Sequence, residues 1–202
     1  MMSGKEFVSG AILAGGKSSR MGRNKALMRL DGEPLIARLA KTLAGSQRLG
    51  ELLLITNTPS DYEFLKLPMY ADAKPGAGPL GGIYTALLRA RFDRALVVAC
   101  DMPFISAELV EYLCQNGVNH EAFALESEKD VEPLCAVYAK SCLPVIEQHL
   151  RDNRLKVSDF YDEVDAKIMR FDPSLPFYKP NLLANVNTPE EFEQAQQIPP
   201  NS

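Results

Sequence analysis

Residues 13–27 read LAGGKSSRMGRNKAL and are the most informative segment of the sequence. It follows the apolar run Phe7–Leu13, which predicts a short strand that ends at a glycine turn. Gly15 and Gly16 allow backbone N–H groups to converge on an anion with no side chain in the way. The hydroxyl and cationic donors that follow are Ser18, Ser19, Arg20 and Lys25. The segment matches neither GxxxxGK[ST] nor GxGxxG, but its donors predict a phosphate-binding turn.

Strand and helix patterns alternate through the first half of the chain. After the first strand, the predicted elements are a helix from Glu33 to a C-cap at Gly45, strands over Glu51–Asn57 and Pro68–Ala71, a loop over Pro75–Gly82, a helix over Ile83–Arg91, a strand over Ala95–Cys100 and a helix over Ser106–Asn116. The alternation predicts an α/β fold with a mostly parallel central sheet and helices on both faces.

The second half of the chain is less regular. Its predicted elements are strands over Pro133–Ala139 and Lys167–Phe171, a helix over Ser141–Leu150 and a last helix that begins at Thr188. Thr188 as N-cap, Pro189 as the first helical residue and Glu191 two residues later make a strong helix start.

Composition describes an ordinary soluble protein. Apolar residues make up 46% and charged residues 24% of the 202 residues. A net charge of −4 gives no basic field for nucleic acid, and no apolar run approaches the roughly 20 residues that span a bilayer. The four cysteines form no C-x-x-C pair, which favours reduced thiols. We therefore expect one domain over residues 1–202 that is cytoplasmic and binds neither nucleic acid nor membrane.

Three predicted strands are each followed by a carboxyl or amide side chain. Asp101 comes directly after Ala95–Cys100, and Asp72 and Asn57 follow the other two strands. Ligands of open parallel sheets bind outside the carboxyl ends of the strands, so these groups are candidates for one site. A carboxylate there suits Mg²⁺, which takes one or two carboxylates plus substrate phosphates. As an alternative, Asp101 is a turn residue ahead of Met-Pro.

The phosphate-binding donors suit phosphoryl-group transfer. When the attacking group is itself a phosphate, it is already anionic near neutral pH and needs no strong general base, so His120 and His149 are expected to be structural. Arg20 and Lys25 suit the β- and γ-phosphates, because the arginine fork grips two oxygens and the lysine acts as a point charge. Positioning and electrostatic stabilisation then dominate catalysis.

The motif L-A-G-G-x-S-x-R-M-G-x-x-K-x-L over Leu13–Leu27 resembles the signature of the molybdenum cofactor guanylyltransferase family. The resemblance spans nearly the whole chain, and its further blocks are Asp31–Leu35, Gly78–Gly82, Cys100–Phe104, Pro133–Tyr138 and Asn185–Glu191. It implies a three-layer Rossmann-like nucleotidyltransferase fold with a mostly parallel central sheet and the active site at the carboxyl edge of the strands.

The resemblance also implies an activity. The family transfers GMP from GTP to the terminal phosphate of molybdopterin, with or without bound molybdenum, and releases pyrophosphate, with Mg²⁺ as the cofactor. A nucleotide-binding half at about 1–117 and an acceptor-binding half at about 118–202 follow from it. So do contacts with other molybdenum cofactor biosynthesis proteins and with molybdoenzymes or their chaperones.

The resemblance implies roles for the positions of this chain that match the family motif. The catalytic residues implied are Arg20, Lys25 and Asp101, with Asp101 as the metal ligand. The nucleotide contacts implied are Leu13, Ala14, Gly15, Gly16, Lys25, Asn57, Asp72 and Asp101, with Asp72 on the guanine or the ribose. The pterin contacts implied are Asn185 and Asn187. Asparagine amides can pair with a pterin edge, but asparagines ahead of a helix start are also common turn residues.

Three alternative functions stay open at this point. Cytidylyl transfer from CTP to the same pterin is one, although relatives of that type tend to carry L-A-A-G where this chain has Leu13–Gly16 as L-A-G-G. A sugar-phosphate nucleotidylyltransferase shares the glycine-rich opening but not the N-x-N-T-P-E-E ending at Asn185–Glu191. The third is a nucleotide-binding delivery protein without turnover, against which Arg20, Lys25 and Asp101 count.

Overall fold

A seven-stranded sheet forms the centre of the protein. The computed structural model describes residues 6–15, 24–128, 130–186 and 191–193. Its strands are β1 (Val8–Leu13), β4 (Leu49–Ile55), β5 (Met69–Tyr70), β6 (Arg94–Ala99), β7 (Ala122–Glu126), β8 (Val131–Ala139) and β9 (Ala166–Arg170). Along the sheet the strand order is β5-β4-β1-β6-β8-β7-β9, and only β8 runs antiparallel to its neighbours. A separate hairpin pairs β2 (Arg29–Leu30) with β3 (Glu33–Pro34).

Four α-helices connect the strands: α1 (Leu35–Ala44), α2 (Gly78–Arg89), α3 (Ala107–Gly117) and α4 (Leu143–Arg151). Shorter 3₁₀ helices cover Lys25–Leu27, Pro59–Leu65, Lys140–Cys142 and Val157–Glu163. The predicted caps of α1 and α3 are confirmed: Gly45 ends α1, and the Ser106 hydroxyl accepts a 3.3 Å hydrogen bond from Leu109 N–H. No helix in the described ranges is long and apolar enough to cross a membrane.

Helices cover both faces of the sheet, so the fold has three layers. Successive side chains of a strand point to opposite faces. In β1, Ile12 packs into the layer of α1 and α3, whereas Leu13 packs into the layer of α2 and α4. Full burial of a leucine or isoleucine stabilises the fold by roughly 1.5–3 kcal/mol. The two apolar layers thus hold β1 rigidly at the middle of the sheet, as the α/β prediction required.

The prediction for the loop over Pro75–Gly82 is wrong in its second half. α2 begins at Gly78 rather than near Ile83, so Gly81 and Gly82 lie in its first turn. The lack of a side chain at these glycines lets the helix pack closely on the sheet. A Cβ on Gly82 would lie only 2.7 Å from Leu13 Cδ1. Gly78 itself has a φ of +59°, which favours glycine at the entry to the helix.

Other boundaries differ less from the sequence prediction. The strands at Pro133–Ala139 and Lys167–Phe171 are confirmed as β8 and β9, and α4 begins after a 3₁₀ turn at Lys140–Cys142. Strand β7 was not predicted: its first four residues are all buried, so it lacks the alternation typical of a half-exposed strand. Residues 191–193 are helical, while the proposed N-cap Thr188 lies outside the described residues.

The cysteines are reduced thiols, as predicted. All four are free, and Cys114, Cys135 and Cys142 are buried. Burial raises the pKa of Cys114 and of Cys142 to about 12. These side chains therefore stay protonated near neutral pH and behave as small apolar core residues.

We predict that Gly117→Ala destabilises the protein. Gly117 ends α3 against β8, and a Cβ there would lie 2.6 Å from the Cβ of Val137, a β-branched side chain with little rotamer freedom. Such overpacking should lower the free energy of unfolding by about 1–3 kcal/mol, measured by urea titration.

Gly45→Ala is the matched control, since Gly45 has a φ of −75° and a Cβ there would come no closer than 3.4 Å to a neighbouring carbonyl. We expect its stability to be unchanged or higher by up to about 1 kcal/mol. Equal stability of the two variants would contradict the packing of α3 on β8.

Candidate active site

The register of the parallel strands places four polar or glycine positions at one level. Leu13 pairs with Ile55 and with Ala99, and Ile55 pairs with Tyr70. Two residues after Leu13, Ile55, Ala99 and Tyr70, the chain reaches Gly15, Asn57, Asp101 and Asp72, respectively. Because the four strands are adjacent and parallel, these positions meet at the carboxyl edge of the sheet, which is where such sheets bind ligands.

Asp101 is a partly buried carboxyl group at this edge. Its backbone carbonyl accepts a 2.8 Å hydrogen bond from Val186 N–H, which holds the segment containing Asn185 beside it. Burial raises the pKa of the Asp101 carboxyl above its usual value, while a backbone N–H and the Lys25 ammonium act in the opposite direction; Glu191 adds a smaller rise. The carboxylate is thus short of water, and a cation beside it would compensate that loss.

Among the described residues, Lys25 is the cation that acts on Asp101 at this edge. It begins the 3₁₀ helix Lys25–Leu27, whose N-cap Asn24 accepts a 3.2 Å hydrogen bond from Ala26 N–H. The Asn24 amide also donates to the Tyr62 hydroxyl at 2.9 Å. Tyr62 is buried at 2% exposure, so this contact ties the segment after the glycine turn to the apolar layer. The backbone of Lys25 is therefore held in place, and its ammonium is near enough to Asp101 to lower the pKa of that carboxyl.

Asp72 is held by residues from two other elements. Its backbone N–H donates a 3.0 Å hydrogen bond to Asn57 Oδ1, so Asn57 anchors Asp72. Its carboxylate oxygen Oδ1 accepts from the Thr85 hydroxyl at 2.9 Å. Sequence reasoning missed Thr85 because a threonine in an apolar helix pattern reads as an ordinary core position. The pairing of Asp72 with α2 appears only in the tertiary structure.

A cleft of about 450 Å³ opens beside Asp101. β8 runs antiparallel to β6, so its first residues lie where β6 ends, and Pro133 and Leu134 line the cleft. The far wall comes from the segment 155–161. The full lining is Pro79, Ala99, Asp101, Asp130, Val131, Glu132, Pro133, Leu134, Leu155, Lys156, Val157, Ser158, Tyr161 and Asn185. Both signs of charge line this cleft, which adjoins Asp101.

Two tyrosines join the walls of this cleft. The Tyr138 hydroxyl donates to the Pro133 carbonyl at 2.7 Å and contacts the Tyr161 hydroxyl at 2.7 Å. A carbonyl can only accept, so the Tyr161 hydroxyl donates to that of Tyr138. Tyr138 is fully buried, and Tyr161 is 8% exposed. Sequence reasoning missed this wall because segment 155–161 carries no motif.

All of the predicted site residues that the structure describes lie together. Those at the carboxyl edge or in the adjoining cleft are Leu13, Ala14, Gly15, Lys25, Asn57, Asp72, Asp101 and Asn185. Gly16, Arg20 and Asn187 lie outside the described residues. Both histidines pair with carboxylates, His120 with Asp165 at 3.1 Å and His149 with Glu163 at 2.8 Å.

Within the described ranges, no three His, Cys, Asp or Glu side chains cluster as a metal site. Asp101 therefore offers a single carboxylate, with the more exposed Glu191 as its acidic neighbour. A site of this kind cannot enclose a cation by itself. It suits an ion that brings most of its oxygen ligands from water and substrate phosphates.

Comparison with known proteins identifies similar chains. The MobA-like NTP transferase domain model matches residues 10–166. "Probable molybdenum cofactor guanylyltransferase" of Carboxydothermus hydrogenoformans is 43% identical over 190 residues, 93% of this chain and 94% of the relative. "Molybdenum cofactor guanylyltransferase" of Desulfosudis oleivorans is 34% identical over 195 residues, 95% of each chain. A solved structure from Archaeoglobus fulgidus, described as molybdopterin-guanine dinucleotide biosynthesis protein A, has a TM-score of 0.79 at 24% identity and covers 94% of this chain and 97% of that one; it bears on the fold alone.

We predict that Lys25→Met raises the pKa of the Asp101 carboxyl. The Lys25 ammonium lowers that pKa in the wild type, so its removal leaves burial less opposed. Carboxyl-carbon NMR titration of the aspartates measures the change directly. Lys140→Met is the control, because Lys140 N–H bonds to the Asp93 carbonyl at the opposite edge of the sheet. An unchanged Asp101 pKa in Lys25→Met would contradict the pairing across the edge.

Proposed function

The chain belongs to the MobA-like NTP transferase family, and from that premise we propose that it transfers GMP from GTP to the terminal phosphate of molybdopterin, forming the guanine dinucleotide cofactor and releasing pyrophosphate. The observation that carries the proposal is the alignment of Gly15, Asp72 and Asp101 at one sheet edge, with Lys25 facing Asp101. Similarity to guanylyltransferases over more than nine-tenths of the chain supports guanine as the transferred base.

The two substrates occupy neighbouring parts of the edge. The nucleotide lies over β1, β4 and β5, with Leu13–Gly16 against the base and phosphates and Asp72 on the guanine or ribose. The acceptor enters the cleft between Asn185 and segment 155–161, and the family motif assigns Asn187 to the pterin as well. This arrangement divides the chain into a nucleotide-binding half, about 1–117, and an acceptor-binding half, about 118–202. Asp101 stands at the junction of the two, where the reacting phosphates meet.

The reaction is an in-line displacement at the α-phosphorus of GTP. An oxygen of the acceptor phosphate forms the new P–O bond, and the bond to the bridging oxygen of the β-phosphate breaks, so pyrophosphate leaves with that electron pair. The nucleophile is already anionic, which removes the need for a general base. Lys25 and Arg20 neutralise the triphosphate and the developing charge on the leaving group. The fold contributes placement, because it fixes both substrates on either side of Asp101.

Mg²⁺ fits the residues at this point. The partly buried Asp101 carboxylate has lost hydration, and a hard divalent cation that binds one carboxylate plus phosphate oxygens would restore its stabilisation. Asp101 would hold the ion. When bound, it would neutralise negative charge on the phosphates.

The proposal also covers the compartment of the enzyme and the proteins that receive its product. Four free thiols suit a reducing compartment, which favours the cytoplasm. A dinucleotide product made there is passed on to other cofactor-biosynthesis proteins and to molybdoenzymes or their chaperones.

We predict that Asp101→Asn lowers pyrophosphate release from GTP, Mg²⁺ and molybdopterin by at least about a hundredfold, because the variant keeps the shape but not the charge. Coupled pyrophosphate detection measures the rate. Asp93→Asn is the matched control: Asp93 precedes β6 and Asp101 follows it, so the same change is made at the opposite end of one strand. Equal rates in Asp101→Asn and wild type would contradict the role of Asp101.

We also predict that, among GTP, CTP, ATP and UTP, only GTP supports efficient pyrophosphate release with molybdopterin. The four triphosphates share their phosphates, so a difference among them reports contacts to the base alone. Release with CTP but not with GTP would overturn the guanylyl assignment. Binding of GTP with no release from any triphosphate would instead indicate a delivery protein.

A further inference from the structure

Thr85 lies fully buried on α2, yet it is a polar side chain with several partners. Its Oγ1 lies 2.9 Å from Asp72 Oδ1, 2.8 Å from the Gly81 carbonyl and 3.0 Å from Ala73 N. The contacts to Asp72 and Ala73 join α2 to the residues that follow β5, more than ten positions earlier in the chain. A buried hydroxyl with three such contacts is held in one orientation.

The single hydroxyl hydrogen of Thr85 has two acceptors within reach. The Gly81 carbonyl is also the acceptor expected for the helical N–H of Thr85, four residues on. Asp72 Oδ1 belongs to a carboxylate, and hydrogen bonds to charged acceptors are roughly twice as strong as neutral ones. The hydrogen therefore goes to Asp72, while Ala73 N–H donates to the same hydroxyl oxygen.

The surrounding backbone is built to allow this contact. Asn57 Oδ1 accepts the Asp72 N–H at 3.0 Å, so Asp72 is fixed at its backbone as well as at its carboxylate. A Cβ at Gly81 would lie 3.0 Å from the Lys74 carbonyl and 3.4 Å from Asp72 Oδ1. Glycine at that position therefore lets the turn after β5 pack directly on the first turn of α2.

We propose that Thr85 is a positioning residue for nucleotide binding: by holding Asp72 Oδ1, it turns the other carboxylate oxygen toward a hydrogen-bond donor of the nucleoside. The inference rests on the proposed function, in which Asp72 contacts the guanine or ribose. It adds a residue that never touches the nucleotide itself. Because the triphosphate is bound elsewhere, by the glycine-rich segment and Lys25, Thr85 acts on the nucleoside part alone.

Thr85→Val tests this, since valine has the shape of threonine without the hydroxyl. We expect the affinity for GTP, measured by calorimetry with Mg²⁺ and no acceptor, to fall about tenfold, the effect of one lost orienting hydrogen bond. Thr85→Ser keeps the hydroxyl and should bind GTP nearly as well as wild type. The affinity for inorganic tripolyphosphate should be the same in all three proteins.

Thr42→Val is the matched control, because Thr42 lies half-buried on α1 and the change is identical. If Thr85→Val is too unstable to purify, Thr85→Ala removes the same hydroxyl and takes its place. Unchanged GTP affinity in Thr85→Val would overturn the inference, and so would an equal loss for GTP and tripolyphosphate, which would mark a general structural defect. Failure of the wild type to bind GTP at all would sink the proposed function and this inference together.

Discussion

The constraint on which the site depends is the register of β1 between β4 and β6. Parallel pairing of Leu13 with both Ile55 and Ala99 brings the ends of three strands to one level, and β5 extends that level by one strand. A register shift of one residue would also turn each side chain to the other face of the sheet. The two apolar layers exclude that shift, because Ile12 and Leu13 are each matched to a different pair of helices.

At this edge, the ionised carboxylate of Asp101 that the proposed reaction uses is unfavourable for the stability of the protein without a ligand. Burial raises the pKa of Asp101, so its ionised form costs free energy in the protein without a ligand. Lys25 reduces that cost, and a divalent cation with its phosphates would reduce it further. Under the proposed function, the acidic protein holds its anionic substrates by local donors and by the metal, without a basic surface.

Sequence patterns predicted the features that depend on residues close together in the chain. Ala95–Cys100 is a continuous apolar run and Phe7–Leu13 a mostly apolar one, so both strands and the residues that follow them could be predicted. These patterns failed where a partner is distant in the chain. Thr85 becomes informative only beside Asp72, and segment 155–161 only beside the antiparallel β8. Gly81 and Gly82 suggested a loop, because glycines needed for close packing look the same in sequence as glycines needed for a turn.

In the proposed function, the carboxyl ends of β1, β4, β5 and β6 form one nucleotide site, with the acceptor cleft beyond Asp101. A direct test is a crystal structure with Mg²⁺ and a GTP analogue that cannot be cleaved between the α- and β-phosphates. We expect the nucleoside beside Asp72, the triphosphate along Gly15 and Lys25, and the metal on Asp101, with the cleft left open. A nucleotide bound in the cleft between Pro133 and Tyr161, or one that leaves Asp72 and Asp101 both without contact, would contradict the claim.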